Sequence, residues 1–280
     1  MPPWMCPVCR RALSRSDDGR QFLCPSGHSF DIAREGYVNL VVAGRRRSRT
    51  AGDSAAMVRA RRRFLESGAY SPLTSAVAAE VALLSPSVVL DVGCGEGHHT
   101  RSLEAPVVLG IDIAKTAVAA AARADKTTHY AVAGANALPL APRSVDLALV
   151  VFGPVFSGEL ARVIAPGGHV LAAHPGPEHL SGLRAFVYEH AVPHQLKPPL
   201  RNEESLFAKE AVHRLYFEIE ITEPQQLLDL FTMTPYYWHA PPGVTAALEE
   251  EARLGFRTPV EVVVTRYRRN ELAIEASAQA

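Results

Sequence analysis

Apolar and polar positions come in blocks along the chain, and these blocks predict an α/β protein. Val88, Val89, Leu90 and Val92 form a short run rich in β-branched residues, which is typical of a buried parallel strand. Glycine recurs immediately after this run, where a backbone without side chains can turn sharply and let a ligand approach. Similar apolar runs predict further strands at 107–111, 129–133, 145–152, 170–173, 212–221 and 260–267.

Helical periodicity fills most of the intervals between these runs. Asp53 or Ser54 is placed to cap a helix that runs to Leu65 and ends near Gly68. The glycine-rich turn after the first strand predicts another helix that begins near His98, with free N–H groups at its start. Further helices are predicted at 71–84, 116–124, 160–164 and 224–231, whereas the Pro-interrupted residues 180–210 give no clear pattern.

The first strand and its turn carry the main candidate binding site. Gly93, Gly95 and Gly97 have the spacing Gly-x-Gly-x-Gly, which differs from the Gly-x-Gly-x-x-Gly of dinucleotide sites. Asp91 lies inside the strand end, where it can hold an ammonium group, and Asp112 ends the next strand, where a carboxylate can accept both ribose hydroxyls. Together these features predict a site for S-adenosylmethionine (SAM). An NAD fold, or a scaffold that has lost its ligand, remains the alternative.

The length and the strand pattern set the domain organisation. A chain of 280 residues has room for one large domain and a small one. We predict a Rossmann-like, class I SAM-dependent methyltransferase domain with a mostly parallel seven-stranded sheet at 85–270. It is preceded by a zinc-binding, RNA-recognising module at 1–36 and by a basic linker with lead-in helices at 37–84. A flexible tail follows at 271–280.

Three of the four cysteines share a pattern with one histidine near the start of the chain. Cys6-Pro-Val-Cys9 and Cys24-Pro-Ser-Gly-His28 form two knuckles whose spacing suits tetrahedral zinc. Four protein ligands leave no open position, so we expect a structural zinc ion that contributes much of the folding energy of this small module. A disulfide or plain buried thiols are the alternative.

Charge is distributed unevenly, although the formal net charge is zero. Residues 1–63 contain 13 Lys and Arg against 5 Asp and Glu, which is +8, and the remainder has 16 against 24, which is −8. Arg45, Arg46, Arg47 and Arg49 form a dense basic run that is suited to phosphate contacts. This asymmetry indicates an anionic partner for the front of the chain, with a merely solvated Arg-rich surface as the alternative.

No apolar run reaches the length of a membrane span, and the first residues lack the pattern of a signal peptide. We therefore expect a soluble cytoplasmic protein.

Six stretches of the sequence resemble one known family, the bacterial 23S rRNA guanine-N1 methyltransferases. The resemblance extends over nearly the whole chain and is strongest to the actinomycete type that confers tylosin resistance. The second and third stretches are the most specific, because a glycine loop alone is shared by many unrelated methyltransferases. The six stretches are CPVC…CPSGH, FDIAREGYVNL, GDSAAMVRARRRFLESGAYSPL, LDVGCGEGHHT, PGPEHL and MTPYYW.

This resemblance implies roles that the spacing alone does not. Cys6, Cys9, Cys24 and His28 match the zinc ligands of the family. The product would be N1-methylguanine in a domain II hairpin of 23S rRNA at the macrolide site, and the protein would be a homodimer. The Phe152-Gly-Pro-Val stretch departs from members that methylate a neighbouring guanine. The positions that match SAM contacts in the family are Tyr70, Gly95, Glu96 and His179.

Methylation of guanine N1 requires removal of a proton, so a basic group is wanted near the acceptor. The sequence offers His174, His179 and Asp146 as candidate bases, although the resemblance implies SAM contact for His179. Phe152 lies where this fold meets its acceptor, and no single catalytic residue stands out. His174 as an ordinary loop histidine and Asp146 as a brace of its strand are equally open. A guanine in a hairpin has to leave its stack to be reached. The candidate stacking partners are Phe152, Tyr236, Tyr237 and Trp238, which as an aromatic cluster are also typical of a core.

The sequence therefore predicts an rRNA methyltransferase that confers resistance to tylosin-type macrolides. Two other classes remain open. The first is a SAM-dependent enzyme that modifies a small molecule in antibiotic biosynthesis. The second is a nucleic-acid-binding protein whose methyltransferase domain is inactive.

Overall fold

The computed structural model describes residues 2–42, 52–188, 192–200 and 203–271. Near the start of the chain, three short strands form a small antiparallel sheet in the order β1-β2-β3. Their short length fits a sequence in which turns recur every few residues. The strands are β1 (Ser14–Arg15), β2 (Gln21–Leu23) and β3 (Ser29–Asp31).

A second, larger sheet forms the centre of the fold. Its strand order is β10-β11-β9-β8-β5-β6-β7-β4, with β9, β11 and β10 paired antiparallel and the other neighbours parallel. The strands are β4 (Val38–Asn39), β5 (Val88–Val92), β6 (Val107–Asp112), β7 (His129–Val132), β8 (Val145–Val151), β9 (Ile164–Pro175), β10 (Phe207–Ile221) and β11 (Phe256–Arg269).

The seven strands expected within 85–270 are present as β5 to β11, and β4 adds an eighth from outside that range. β4 comes from the segment expected to be a linker, and it pairs in parallel with β7 at the edge of the sheet. Val38 is almost fully buried there, so burial of this side chain and pairing of the β7 edge both favour the extra strand. The order of the strands reverses between β5 and β8, and this is the point at which open α/β sheets bind ligands, outside the carboxyl ends of their strands.

Helices cover both faces of the large sheet. Adjacent residues of a strand point to opposite faces, so Val89 belongs to one apolar cluster and Leu90 to the other. The helices are α1 (Ala55–Glu66), α2 (Ser71–Leu84), α3 (Lys115–Ala124), α4 (Ser157–Val163), α5 (Ser181–Val187), α6 (Pro224–Thr232) and α7 (Val244–Leu254), with short 3₁₀-helices at Thr100–Ser102 and Pro235–Trp238.

The helix predicted to begin near His98 is a single 3₁₀ turn, Thr100–Ser102. Only nine residues separate Gly97 from the start of β6 at Val107, and Pro106 disfavours helical backbone in the residue before it. The segment between the glycine loop and β6 is therefore short, and it forms one 3₁₀ turn.

The helix α1 begins as its sequence predicts. The Ser54 hydroxyl accepts a hydrogen bond from the Met57 N–H at 3.2 Å and caps the first turn. Met57, Ala60 and Phe64 are buried, whereas Arg59 and Arg63 are exposed. The next helix, α2, begins with Pro72 in its first turn, and buries Leu73, Val77 and Val81 in the core.

The small sheet and its flanking loops are attached to the large domain. Trp4 is 2% exposed, and it lies in one apolar cluster with Leu138 and Leu140. The Met5 N–H donates to the Pro139 carbonyl at 2.8 Å, and Arg10 Nη1 donates to the Leu138 carbonyl at 3.1 Å. The described parts of the segment 37–84, residues 37–42 and 52–84, are integrated as well, because they supply β4, α1 and α2. Residues 272–280 of the expected tail lie outside the described residues.

Among the described residues, no helix has both the length and the apolar character needed to cross a bilayer.

Candidate functional site

The glycine loop that follows β5 forms the floor of the main site. Gly93, Gly95 and Gly97 all have positive φ angles, of 78°, 56° and 82°, which other residues rarely adopt. A methyl group built on Gly97 would lie 2.9 Å from the Tyr130 hydroxyl, so this position also requires glycine for space. At Gly93 the nearest atom to such a group is Gly153 Cα at 3.9 Å. The loop therefore brings bare backbone close to the ends of β5 and β8.

Two carboxylates flank this loop, one buried (Asp91) and one half-buried (Asp112). Asp91 Oδ2 accepts a hydrogen bond from the Thr100 hydroxyl at 2.6 Å, and burial raises the pKa of Asp91 to about 7. Asp112 accepts from the Gly95 N–H at 3.0 Å and from the Ala114 N–H at 2.7 Å, and burial raises its pKa as well. The Asp112 carboxylate thus holds the glycine loop against β6. Its two oxygens have capacity for further donors, such as ribose hydroxyls.

Glu96 is the clearest sign that this loop is built for a ligand. It is 2% exposed, and neither carboxylate oxygen has a hydrogen-bond partner among the described residues. Arg101 is its ion-pair partner at 3.6 Å, too far for a direct hydrogen bond. Burial raises the pKa of Glu96. A buried carboxylate without hydrogen bonds is costly, so a donor from a bound molecule is expected here.

Above the loop lies a cavity of about 770 Å³, which is within the range of small-molecule sites. It is bounded by the ends of β5, β6, β8 and β9, by α1, and by the segment that joins α6 to the 3₁₀-helix Pro235–Trp238. Every position predicted to bind SAM lies on its lining except Gly97, which packs behind the loop. The structure therefore brings together Tyr70, Asp91, Gly93, Gly95, Glu96, Asp112 and His179.

Tyr70 and His179 form one side of the cavity. The Tyr70 hydroxyl lies 3.5 Å from His179 Nε2, and His179 Nδ1 lies 3.0 Å from the Glu261 carbonyl, to which it donates. Burial lowers the pKa of His179 to about 4, so this imidazole is neutral at pH 7. Arg184 donates to the carbonyls of Pro177 and His179 and thereby fixes the loop after β9. Both ring nitrogens of His179 are therefore engaged by the protein.

Phe152 and His174 lie at the carboxyl ends of the neighbouring strands β8 and β9. Phe152 has a φ of 53°, an uncommon conformation for a bulky residue and one that concentrates at functional sites. Its ring is 43% exposed and its centroid is 5.3 Å from that of His179. Neither ring nitrogen of His174 has a hydrogen-bond partner in the described part of the chain, although both are buried. Burial lowers the pKa of His174.

Asp146, the other candidate base, lies in the wrong place. It is near the start of β8, and its carboxylate accepts hydrogen bonds from the N–H groups of Ser87 and Val88 at 3.0 and 2.9 Å. These contacts are at the amino end of β5, the edge of the sheet opposite the glycine loop. Asp146 therefore braces two strand starts and cannot reach a group in the cavity.

The aromatic cluster divides into buried and exposed members. Tyr236 is buried, and its hydroxyl lies 2.9 Å from His194 Nε2. Tyr237 packs against Phe231, outside the cavity lining. Trp238 is 62% exposed and lines the cavity. Of the four candidates for stacking on a base, Phe152 and Trp238 have both the exposure and the position.

A second site lies in the small module. The ligand atoms of Cys6, Cys9, Cys24 and His28 are all within 4.8 Å of one another, and the four cysteines of the chain are free. With a Zn–S distance of about 2.3 Å, tetrahedral ligand atoms are separated by roughly 3.8 Å, so this set suits zinc. Zinc bound here would link the two knuckles and hold the small sheet together.

Arg45, Arg46, Arg47 and Arg49 lie outside the described residues. Their contact with phosphate stays a prediction.

Two residues of the site were not singled out from the sequence. Arg61 lines the cavity from α1, and the sequence analysis assigned it no role. Its spacing of four residues from Met57 and from Leu65 was the available signal, because such residues share one helix face. His194 lines the opposite wall from a Pro-rich segment whose sequence carries no comparable signal.

Comparisons with known proteins agree with the two sites. A zinc-ribbon family model described as "RlmA, N-terminal" matches residues 4–49, and a methyltransferase-domain model matches residues 90–172. Methyltransferase domains of this kind use SAM. The bare glycine loop, the two flanking aspartates and Glu96, whose carboxylate has no hydrogen-bond partner among the described residues, fit that cofactor. The zinc-ribbon match likewise agrees with the three cysteines and one histidine of the small module.

Three relatives have related names. A predicted 23S rRNA (guanine-N1)-methyltransferase of Micromonospora griseorubida is 33% identical over 271 residues, which cover 87% of this chain and 89% of the relative. The 23S rRNA (guanine(748)-N1)-methyltransferase of Streptomyces fradiae is 40% identical over 187 residues, or 64% and 65% of the two chains. A predicted enzyme of the same type from Bacillus subtilis is 28% identical over 276 residues, or 92% and 95%.

Proposed function

The chain belongs to the family of 23S rRNA (guanine-N1)-methyltransferases, and from this premise we propose that it methylates N1 of one guanine in a domain II hairpin of 23S rRNA at the macrolide site. The main support for the proposal is that one chain contains both a zinc ribbon and a cavity of the SAM-binding type. The proposed substrate is rRNA, so the enzyme would act in the cytoplasm.

SAM supplies a methyl group bound to a positively charged sulfur atom. The protein has to hold this donor in line with the acceptor nitrogen, since alignment is the main contribution that a protein makes to such a displacement. Asp91 and Glu96 would bind its ammonium group, and Asp112 would bind its ribose. Tyr70 and His179 would close the cavity beside Phe152. The position of these residues on the cavity lining supports these roles.

The acceptor guanine has to enter from the mouth of the cavity, because the floor is closed by β5, β6 and β8. The exposed rings of Phe152 and Trp238 border this mouth and offer flat apolar surfaces for a base that has left its stack. We assign Phe152 and Trp238 to base stacking. Tyr236 is engaged with His194 and would instead support the wall.

His174 is the base that the geometry favours. It lies at the end of β9 next to Phe152, whose N–H donates to the Ala173 carbonyl at 2.9 Å. Its ring is neutral at pH 7 because burial lowers the pKa of His174, so it can accept the N1 proton of guanine. Neither ring nitrogen has a hydrogen-bond partner among the residues that the structure describes, so neither is committed to a bond within the fold.

RNA affinity would come from the front of the chain. The positive charge of residues 1–63 and the arginines at 45–49 suit the phosphate backbone, and the zinc ribbon, anchored through Trp4, would present part of this surface in a fixed orientation. We also propose, from the family resemblance, that two copies bind one RNA as a homodimer. Sedimentation of the purified protein as a monomer at micromolar concentration would contradict the dimer.

Methylation at this hairpin would protect the ribosome from tylosin-type macrolides. The added methyl group is bulky and removes a hydrogen-bond donor from the guanine, and both changes would hinder a drug bound beside it. Unchanged tylosin susceptibility in a sensitive host with fully methylated rRNA would contradict this role.

A methylation assay tests the proposed reaction. Radiolabelled SAM is incubated with the protein and 23S rRNA from a strain that lacks the modification, and primer extension locates the product, because N1-methylguanine blocks base pairing. We expect one stop, in the domain II hairpin. The Streptomyces fradiae relative is named for guanine 748, so that position is the reference. If SAM binds but no label enters rRNA, a small-molecule methyltransferase becomes the better assignment.

A further inference from the structure

We propose that Arg61 binds the carboxylate of the methionine part of SAM and is thereby a positioning residue of the cofactor site. The inference rests on the proposed function, because it concerns the cofactor of the same reaction. It adds Arg61 to the residues proposed to bind SAM. Neither the glycine motif nor the strand ends indicate this residue.

The charges on the cavity lining require such a partner. Four carboxylates line the cavity, and Arg61 is the one lysine or arginine on the lining formed by the described residues. SAM carries a sulfonium, an ammonium and a carboxylate group. The acidic side chains suit the two cationic groups, whereas the ligand carboxylate would be repelled by each of them. The four carboxylates are Asp53, Asp91, Glu96 and Asp112.

The helix α1 aims Arg61 at the glycine loop. Met57, Arg61 and Leu65 are spaced by four, so they share one face of the helix, and they line the cavity together with Asp53, which lies just before the helix cap. A methyl group built on Gly95 would lie 3.8 Å from Arg61 Nη1. The guanidinium therefore faces the loop at the point where the amino-acid part of the cofactor is held in the proposed arrangement.

The contacts of Arg61 orient its guanidinium and leave part of it unused. Arg61 Nη1 donates to the Asp53 carboxylate, and Nη2 donates to the Met233 carbonyl at 3.2 Å. A guanidinium has five N–H donors, so three are not accounted for by these bonds. Asp53 holds the side chain from the start of α1 and Met233 from the end of α6. Such preorganisation reduces the entropy that a charged side chain loses on binding a ligand.

Two other roles would explain the same position. Arg61 could serve as a strap that ties α1 to the end of α6 through Met233, or its charge could contact an RNA phosphate at the mouth of the cavity. A strap would affect every ligand of the cavity equally, whereas a phosphate contact would leave cofactor affinity unchanged. A carboxylate partner would affect only ligands that carry the amino-acid part.

Binding of two ligands in the absence of RNA separates these roles. S-adenosylhomocysteine retains the amino-acid part, and 5′-methylthioadenosine lacks it. Dissociation constants are measured by isothermal titration calorimetry for the full chain and for Arg61→Gln. We expect the substitution to weaken S-adenosylhomocysteine roughly ten- to a hundredfold, as for a lost charge-assisted hydrogen bond, and to change the affinity for 5′-methylthioadenosine less than about twofold.

Two further variants serve as controls. Arg61→Lys keeps the charge but loses the planar fork, so we expect an intermediate loss. Arg59→Gln removes an exposed arginine of the same helix that does not line this cavity, and we expect wild-type affinity for both ligands. Equal losses for both ligands, or no loss in Arg61→Gln, would overturn the proposal. If the wild-type chain bound neither ligand, the proposed function itself would be overturned. If the wild-type chain bound both ligands and Arg61→Gln had the same affinities, only the role of Arg61 would be refuted.

Discussion

Asp91 should make cofactor binding depend on pH near neutrality. Burial raises the pKa of Asp91 to about 7, above the value of about 3.9 in an unfolded chain. The ammonium group of the cofactor requires the ionised form. Below pH 7 binding must therefore displace a proton, and affinity is lost as the pH falls, by at most about tenfold per unit. Without ligand, the folded chain holds the Asp91 proton more tightly than the unfolded chain does. The free energy of unfolding therefore decreases as the pH rises from about 4 to 7.

Calorimetric titration with S-adenosylhomocysteine between pH 5.5 and 8.5 measures this dependence. Burial also raises the pKa of Glu96 and of Asp112 on the same lining, so Asp91→Asn is the reference that isolates Asp91. We expect the variant to bind weakly and with a flatter pH profile. An affinity in the wild-type chain that stays constant from pH 6 to pH 8 would show that Asp91 is ionised throughout.

Substitution of His174 should separate proton removal from cofactor binding. His174→Gln keeps a polar side chain but cannot act as a base at neutral pH. We expect methyl transfer to rRNA to fall roughly 10²- to 10⁴-fold, with unchanged affinity for S-adenosylhomocysteine. Part of the rate should return at alkaline pH, where guanine N1 ionises without help. His213→Gln, on β10 outside the cavity lining, is the matched control. An equal loss of rate at every pH would indicate that His174 positions the target guanine and does not remove its proton.

At the scale of single elements, buried parallel strands were the most predictable part of this fold. β5 and β6 are continuous apolar runs bounded by a proline or a glycine loop, and their predicted limits agree with the structure within one residue. The residues adjoining their ends, Asp91, Gly93, Gly95 and Asp112, were predictable for the same reason. A parallel strand must end at the carboxyl edge of the sheet, so sequence position alone determines which side chains lie there.

Elements whose place depends on distant partners were harder to predict. The helix α7 (Val244–Leu254) was not predicted, although Val244, Leu248 and Ala252 are spaced by four and buried. Arg61 and His194 enter the cavity from α1 and from the segment before β10, and no local pattern shows which helix or loop covers a site. The Asp146 carboxylate lies in a predicted strand, but its use by Ser87 and Val88 depends on the pairing of β5 with β8.

The helix α1 is attached to α6 by an ion pair whose loss should weaken the fold. Arg63 Nε and Nη2 donate to the Asp229 carboxylate at 2.8 and 2.5 Å. Asp229 is buried, and its other partner is the Gln225 amide at 3.0 Å. Arg63 is half exposed, so Arg63→Ala should cost about 1–3 kcal/mol of unfolding free energy, mainly because a buried carboxylate loses its partner.

Urea unfolding of the Arg63→Ala variant measures this cost. The control is Arg59→Ala, one turn earlier on the exposed face, which should change the free energy of unfolding by less than about 0.5 kcal/mol. The double variant with Asp229→Asn should lose less than the sum of the two single losses, because the residues are coupled. If the loss in the double variant equalled the sum of the two single losses, α1 and α6 would be held together by their apolar contacts alone.

For the whole molecule, the separation of charge should make RNA binding and cofactor binding respond differently to salt. Residues 1–63 carry +8, and each phosphate that they neutralise contributes about −0.7 to −0.9 to the slope of log K against log salt. Replacing Arg45, Arg46, Arg47 and Arg49 by Gln should make this slope shallower by roughly 3. Filter binding of the rRNA hairpin from 50 to 300 mM KCl tests this. S-adenosylhomocysteine affinity is the control and should not change.

The zinc ribbon and the cavity should likewise be separable. The described residues that line the cavity begin at Gly52, so none of them belongs to the zinc module. Removal of zinc by a chelator should loosen the small sheet, since the module has few buried apolar side chains, namely Trp4, Cys6, Leu13, Phe22 and Cys24. The contacts of Trp4 and Met5 with the segment 139–140 would be weakened, but they lie outside the glycine loop.

We therefore expect chelation to reduce rRNA methylation at least tenfold, because RNA binding needs the ordered ribbon. The dissociation constant of S-adenosylhomocysteine should change less than about twofold, because cofactor binding does not need the ribbon. Added zinc should restore methylation, which excludes irreversible damage as the cause. If the chelated protein lost both activities together, the apolar cluster shared by Trp4, Leu138 and Leu140 would be transmitting disorder from the ribbon to the domain. The ribbon would then support the catalytic fold itself, and its contribution to RNA binding would have to be measured with charge variants that leave the zinc in place.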